Sequence, residues 1–257
     1  MGDNLSQNVA LVTGAARGIG EAIVREMVEE GASVVAVDRD GSALQESLAR
    51  LGADGRVLGA CADITRPDEV AEAVARASEA FGPVDVLVNN AGVSAYFDPV
   101  AMTDADWESV LGVDLKGAWT CSRQVIPGMR AAGRGSIVNI ASIHARLTVG
   151  GMFPYAVAKT GLIGLTRSLA LDLAAEGIRV NAVSPGWTRT YLVQEWFESQ
   201  PDSTSAEASV LNAHPMGRIC EPEEIARVVA FVASDKASGL TGAEIPVDAG
   251  LGIRMAT

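Results

Sequence analysis

The sequence predicts a doubly wound α/β fold, a parallel sheet with helices on both faces. Short β-branched runs alternate with longer amphipathic segments along nearly the whole chain, and such alternation implies βαβ units and a sheet buried on both sides. Right-handed crossovers then wind the sheet in two directions. No low-complexity tract, internal repeat or interdomain linker interrupts the rhythm, so residues 1–257 read as one domain.

The elements follow in order. Residues 8–12 read as a strand and 18–30 as a helix. A strand at 34–37 precedes a helix at 42–50, and a strand at 56–60 precedes a helix at 67–81 that opens with Pro67. After a strand at 84–88, residues 104–129 carry helical spacing. A strand at 135–140 leads to a long helix at 155–176, then a strand at 178–183. A helix at 221–234 and a strand at 244–247 complete the pattern. Residues 188–215 break the rhythm and mix Tyr191, Trp196 and Phe197 with polar side chains. A long loop with some helix beside an α/β site is a candidate lid, and a surface excursion packed on another subunit is the alternative.

Composition excludes several classes. The 257 residues are 48% hydrophobic and 20% charged, ordinary for a globular chain. A net charge of −12 disfavours nucleic acid and anionic membrane as partners. Cys61, Cys121 and Cys220 are scattered, and His144 and His214 are the only histidines, so neither disulfides nor a metal site is expected. The polar start of the chain lacks an apolar signal core, and no stretch is long and apolar enough to span a bilayer. A cytoplasmic protein is the expectation.

Thr13-Gly14-Ala15-Ala16-Arg17-Gly18-Ile19-Gly20 follows the first strand and opens the first helix. Glycines there permit a tight turn and a close approach of phosphate to backbone N–H groups, at the positive end of the helix dipole. Asp38, at the end of the second strand, can accept both ribose hydroxyls of NAD and repel the 2′-phosphate of NADP. Arg17 and Arg39 could instead pair with that phosphate. The fixed carboxylate outweighs the movable arginines, so NAD is expected over NADP.

These residues resemble the short-chain dehydrogenase/reductase family over nearly the whole chain. The resemblance rests on the glycine turn, Asp63-Ile64, Asn89-Asn90-Ala91-Gly92, Ser142, the Tyr155-Ala156-Val157-Ala158-Lys159 pattern and Pro185-Gly186. It implies a Rossmann-type fold and a nicotinamide dinucleotide held by Gly14, Arg17, Gly18, Ile19, Gly20, Asp38, Arg39, Asp63, Ile64, Asn90, Ala91, Gly92, Tyr155, Lys159, Pro185, Gly186, Thr188 and Thr190. One position departs: Val113-Asp114-Leu115-Lys116-Gly117 carries Asp where the family usually has Asn. In the family that residue helps to hold a water in a proton relay to the lysine. Asp114 can serve the relay through its backbone and favour a charged Lys159, or it can bond its own helix backbone.

Tyr155 and Lys159 stand four apart on one helix and share a face. A free phenol has a pKa near ~10, and a neighbouring ammonium and a cationic nicotinamide both favour the phenolate. Tyr155 is then the proton acceptor for an alcohol whose carbon gives hydride to the cofactor. Ser142 would hold the substrate oxygen. The expected activity is that of an oxidoreductase interconverting a secondary alcohol and a ketone.

The Ser142-Ile143-His144, Phe153-Pro154-Tyr155 and His214-Pro215 stretches resemble the family's sugar dehydrogenases. His144, on the same side of an extended chain as Ser142, and Trp187 are candidate substrate contacts, with Asn212 and His214 as further polar lining. A buried structural role for His144 stays open. The rivals are a 3-oxoacyl thioester reductase, disfavoured by Asp38 and the acidic chain, and an apolar alcohol dehydrogenase, favoured only by Trp187, Trp196 and Phe197. A dinucleotide-binding regulator without catalysis has Asp114 as its sole support. By analogy the chain is expected to form a homotetramer or homodimer, with Ala156, Ala158, Gly161 and Gly164 permitting close helix approach and residues 247–257 supporting a second interface.

Overall fold

A computed structural model describes residues 4–52 and 55–254. Its centre is a seven-stranded sheet, parallel throughout, in the order β3-β2-β1-β4-β5-β6-β7. The strands are β1 (Val9–Thr13), β2 (Ser33–Asp38), β3 (Val57–Cys61), β4 (Val86–Asn89), β5 (Gly135–Ile140), β6 (Ile178–Pro185) and β7 (Glu244–Val247). The first three strands run outward one way and the last four the other, so the winding reverses between β1 and β4. In an open α/β sheet that reversal leaves a crevice at the strands' C-terminal ends.

Helices α1 (Gly18–Glu29), α2 (Gly41–Leu51), α3 (Pro67–Ala80), α4 (Asp104–Leu111), α5 (Ala118–Ala132), α6 (Tyr155–Leu173), α7 (Tyr191–Glu198), α8 (Ser203–Ala213) and α9 (Pro222–Ala233) complete the chain. Alternation along each strand divides the apolar residues between two cores. Ala10, Val12, Val34, Ala36, Val86 and Val88 pack with Ile23 and Met27 of α1 and Ile225 and Val229 of α9. Val9, Leu11, Val35, Val37 and Leu87 pack on the other face with Val70 and Ala73 of α3 and Val125 and Met129 of α5. Each such buried Val, Leu, Ile or Met side chain contributes roughly 1.5–3 kcal/mol.

Four expectations are corrected. Residues 104–129 are not one helix: α4 passes into a π-helical turn, Gly112–Gly117, before α5 begins. The wider turn accommodates tight packing at its exit, where a Cβ on Gly117 would stand 2.5 Å from Ile64 Cδ1. The 188–215 segment is two helices, N-capped by Thr190 and Asp202. His144 lies in a 3-10 turn, Ile143–Ala145, and not in an extended chain. Finally, Ala158 is fully buried within the chain and so is not on a surface open to another subunit, while Gly161 is half-buried beside Leu115. Of the expected 247–257 interface, residues 255–257 lie outside the described residues.

Candidate active site

The crevice is built from strand ends. Thr13, the last residue of β1, accepts hydrogen bonds at Oγ1 from the backbone N–H groups of Asn90 and Ala91, at 3.0 and 3.1 Å. Asn90 returns the tie by donating from Nδ2 to the carbonyls of Thr13 and Gly14, both at 3.0 Å. The glycine turn is thereby fixed to the loop after β4. A Cβ on Gly14 would meet Ala91 Cα at 2.8 Å, and one on Gly20 would meet Gly14 O at 2.0 Å. No side chain caps the N-terminus of α1, so its first N–H groups remain available to an anion.

Asp38 closes one side of the groove. Its two carboxylate oxygens accept from Ala16 N and Asp40 N, each at 3.0 Å, which fixes the carboxylate's orientation. Gly14, Asp38, Arg39, Asp63, Ile64, Ala91, Gly92 and Val113 line the groove. Burial raises the Asp63 carboxyl, but bonds from Thr65 and the charges of Arg39 and Arg66 outweigh it and leave it below its ordinary value. Ile64 is buried. Arg17 turns away to Asp40 at 2.7 Å.

The chemistry-bearing side chains meet at the ends of β5 and α6. Lys159 Nζ donates to Ile140 O at 3.2 Å and lies 5.5 Å from the centre of the Tyr155 ring. The π turn brings Asp114 against it, with Oδ2 at 3.5 Å from Nζ and Oδ1 accepting from Val93 N at 2.7 Å. Asp114 therefore bonds a neighbouring loop and faces the lysine; it does not bond its own helix backbone. Burial raises its carboxyl above the ordinary value, against the opposing pull of Lys159 and the Val93 amide. Gly92 sits at the junction: a Cβ there would be 3.3 Å from Lys159 Nζ and 3.4 Å from Asp114 Oδ2.

Ser142 is buried at the start of the loop after β5, and its Oγ accepts from His144 N at 3.2 Å. The His144 ring stands edge-on to the Tyr155 ring, 6.0 Å between centres. The 3-10 turn thus brings His144 to the site by a route that extended-chain reasoning did not describe. Partial burial lowers its pKa, favouring a neutral imidazole.

Other candidates occupy supporting positions. Gly186 N donates to Val247 O at 3.0 Å, and Asp248 leaves no room for a Cβ on Gly186. Buried Thr188 donates to Gly186 O at 3.2 Å. Thr190 caps α7 and lies against the glycine turn, its Cγ2 3.3 Å from a Cβ built on Gly18. Trp187 packs on Trp196 and Phe197, with ring centres 4.8 and 6.0 Å away. The three aromatic rings pack on one another, with Phe197 buried and Trp187 and Trp196 half-buried. His214 is buried, with Nδ1 2.7 Å from Val210 O, while Asn212 is exposed.

Sequence reasoning missed the supports: the Thr13 hydroxyl, the Val93 amide, and a buried relay in which Asn89 Nδ2 donates to Asn139 Oδ1 at 2.8 Å and Asn139 Nδ2 donates to Thr166 Oγ1 at 2.9 Å. Polar residues inside otherwise apolar strands were the available signal.

A family model described as enoyl-(acyl carrier protein) reductase matches residues 14–252. A cis-4-hydroxycyclohexanecarboxylate dehydrogenase of Sinomonas cyclohexanicum is 41% identical over 97% of this chain and 98% of its own. A 3-oxoacyl-acyl-carrier-protein reductase of Thermotoga maritima is 38% identical over 96% and 98% of the respective chains. The solved aldohexose dehydrogenase of Thermoplasma acidophilum superposes with a TM-score of 0.90 at 35% identity, covering 100% of this chain and 98% of that one.

Proposed function

The chain belongs to the short-chain dehydrogenase/reductase family, and from that premise we propose that it oxidises a secondary alcohol to a ketone with NAD, the substrate being a sugar, polyol or comparable small polar alcohol. The observation that carries the reading is the buried Lys159 beneath Tyr155, with Ser142 at the adjoining strand end.

The residues present fit a nicotinamide dinucleotide. The turn that cannot admit a Cβ at Gly14 or Gly20 and the uncapped α1 terminus suit a pyrophosphate. The fixed Asp38 carboxylate suits the paired hydroxyls of an adenosine ribose. When bound, the dinucleotide supplies the acceptor for hydride from the alcohol carbon. Tyr155 takes the alcohol proton on its phenolic oxygen, or returns it in the reverse direction. Ser142 donates its hydroxyl hydrogen to the substrate oxygen and orients it toward Tyr155. Lys159 stands beside the phenol and would hold the nicotinamide ribose. Asp114 holds Lys159 against the loop after β4.

Two relatives' names, one an aldohexose dehydrogenase and one acting on a hydroxylated cyclohexane acid, support a small polar alcohol. His144 beside Tyr155 supports the same choice, since a neutral imidazole can bond a second hydroxyl. Helices α7 and α8 would cover the substrate. The test follows absorbance of the reduced cofactor with NAD or NADP across sugars, polyols, cyclic hydroxy acids, 3-hydroxyacyl thioesters and apolar alcohols. Turnover of polar alcohols with NAD is expected. Preference for a thioester with NADPH would replace this reading, and dinucleotide binding without any turnover would favour a regulator.

A further inference from the structure

Two acids stand close together at the end of β2, and of the two only Asp38 lines the groove. Besides accepting from Leu44 N at its carbonyl, Asp40 makes three bonds. Its N–H donates to Asp38 Oδ1 at 3.0 Å. Its Oδ1 accepts from Ala43 N at 3.0 Å and caps α2. Its Oδ2 accepts from Arg17 Nη2 at 2.7 Å. Because the cap fixes one carboxylate oxygen, the other is already aimed at the guanidinium. The bond from Ala16 N to Asp38 Oδ2 closes the circuit, linking the β1–α1 turn to the β2–α2 turn.

We propose that Asp40 is a specificity-determining residue that acts through Arg17. A 2′-phosphate on the adenosine ribose would fall beside Asp38 and need a cation there. Arg17 directly follows Ala16, whose N–H bonds Asp38, and Asp40 engages its guanidinium. Arg39, the second cation, lines the groove itself, so Asp40 governs one of the two arginines. Discrimination against NADP then has two parts: repulsion by Asp38, and withdrawal of one arginine that could offset it. This inference rests on the dinucleotide reading above and adds to it a residue that does not itself line the groove.

The Arg17 and Asp40 side chains are 62% and 44% exposed, and exposed ion pairs are weak. The expected effect is therefore about three- to fivefold in relative affinity, not orders of magnitude.

The test is calorimetric titration with NAD and with NADP, which needs no knowledge of the alcohol. Asp40→Asn keeps a good N-cap while removing the charge, with Asp40→Ser as a second variant should the first fold poorly. Each is measured alone and with Asp38→Ser, where NADP binding is easier to quantify. The ratio of the NADP to the NAD dissociation constant should fall about three- to fivefold on loss of Asp40 and return when Arg17→Gln is added, with a smaller change at high salt. An unchanged ratio overturns the proposal. So does a gain that survives Arg17→Gln, because that is simple removal of a negative charge. Failure to bind either dinucleotide overturns the underlying reading and this one with it.

Discussion

The nucleotide-facing and substrate-facing halves of the crevice are built on different principles. The first is assembled from the ends of β1, β2 and β4, held by backbone bonds through Thr13, Asn90 and Asp38. On the function proposed above the second would be covered by α7 and α8, where Phe197 is the one buried residue of α7 and α8 buries none. Where a ligand is common to many enzymes, its site can be made of main chain and glycine. Where the ligand varies, the site is better placed on side chains that carry little of the fold's stability.

This contrast can be broken at its centre. Tyr155→Phe should lower kcat by about 10²–10⁴-fold, the scale of a lost general base. Dinucleotide affinity, measured by titration, should persist. If kcat at neutral pH is unchanged, the proton passes elsewhere. A smaller effect is expected on the nucleotide side. Gly20→Ala places a Cβ 2.0 Å from Gly14 O, and should cost about 1–3 kcal/mol of stability, as overpacking does, with weakened binding of NAD. A thermal melt as stable as wild type would show that the turn is more pliable than its contacts imply.

On the substrate side the change should appear in KM. Trp196→Ala removes two aromatic contacts, to Trp187 and Phe197, each worth about 0.5–1.5 kcal/mol. Loosening of α7 should raise substrate KM several-fold and leave NAD affinity alone. Equal losses in both would mean that the halves are coupled.

The smallest effect concerns the thiols. Cys61 is exposed at the end of β3, whereas Cys121 is buried and its thiol is pushed up to about 12 by loss of solvent. Burial also raises the Cys220 thiol. Native protein at mild alkaline pH should therefore react with a disulfide reagent at Cys61 first, because only a thiolate attacks. Cys121 should react only on unfolding. Fast labelling at Cys121 would show that α5 opens locally.

The halves also differed in how readable they were. Asp38, Gly14 and Gly20 were legible because a turn between a strand and a helix that admits no side chain calls for glycine, and an acid at the end of the second strand has a recognisable place. Helical spacing put Tyr155 and Lys159 on one face, but it was the family resemblance, with Ser142 beside them, that marked them as a pair. The π turn was not, since one extra residue in a turn leaves the apolar period nearly intact over so short a stretch. Consequently the sequence left Asp114 with two candidate partners, Lys159 and its own helix backbone, and only the turn's geometry selects the first. His144 reached the expected neighbourhood through an unexpected backbone, because Ser142 begins a 3-10 turn. Trp187, Trp196 and Phe197 read as open apolar lining, yet side chains can satisfy one another, and sequence order does not reveal which do.

Helix α8 buries none of its eleven residues. Its outer face can therefore accumulate substitutions without a folding penalty that would remove them. If α8 covers the alcohol as proposed, a chain of this design can drift toward a new substrate one residue at a time while the strand-end half of the crevice stays as it is.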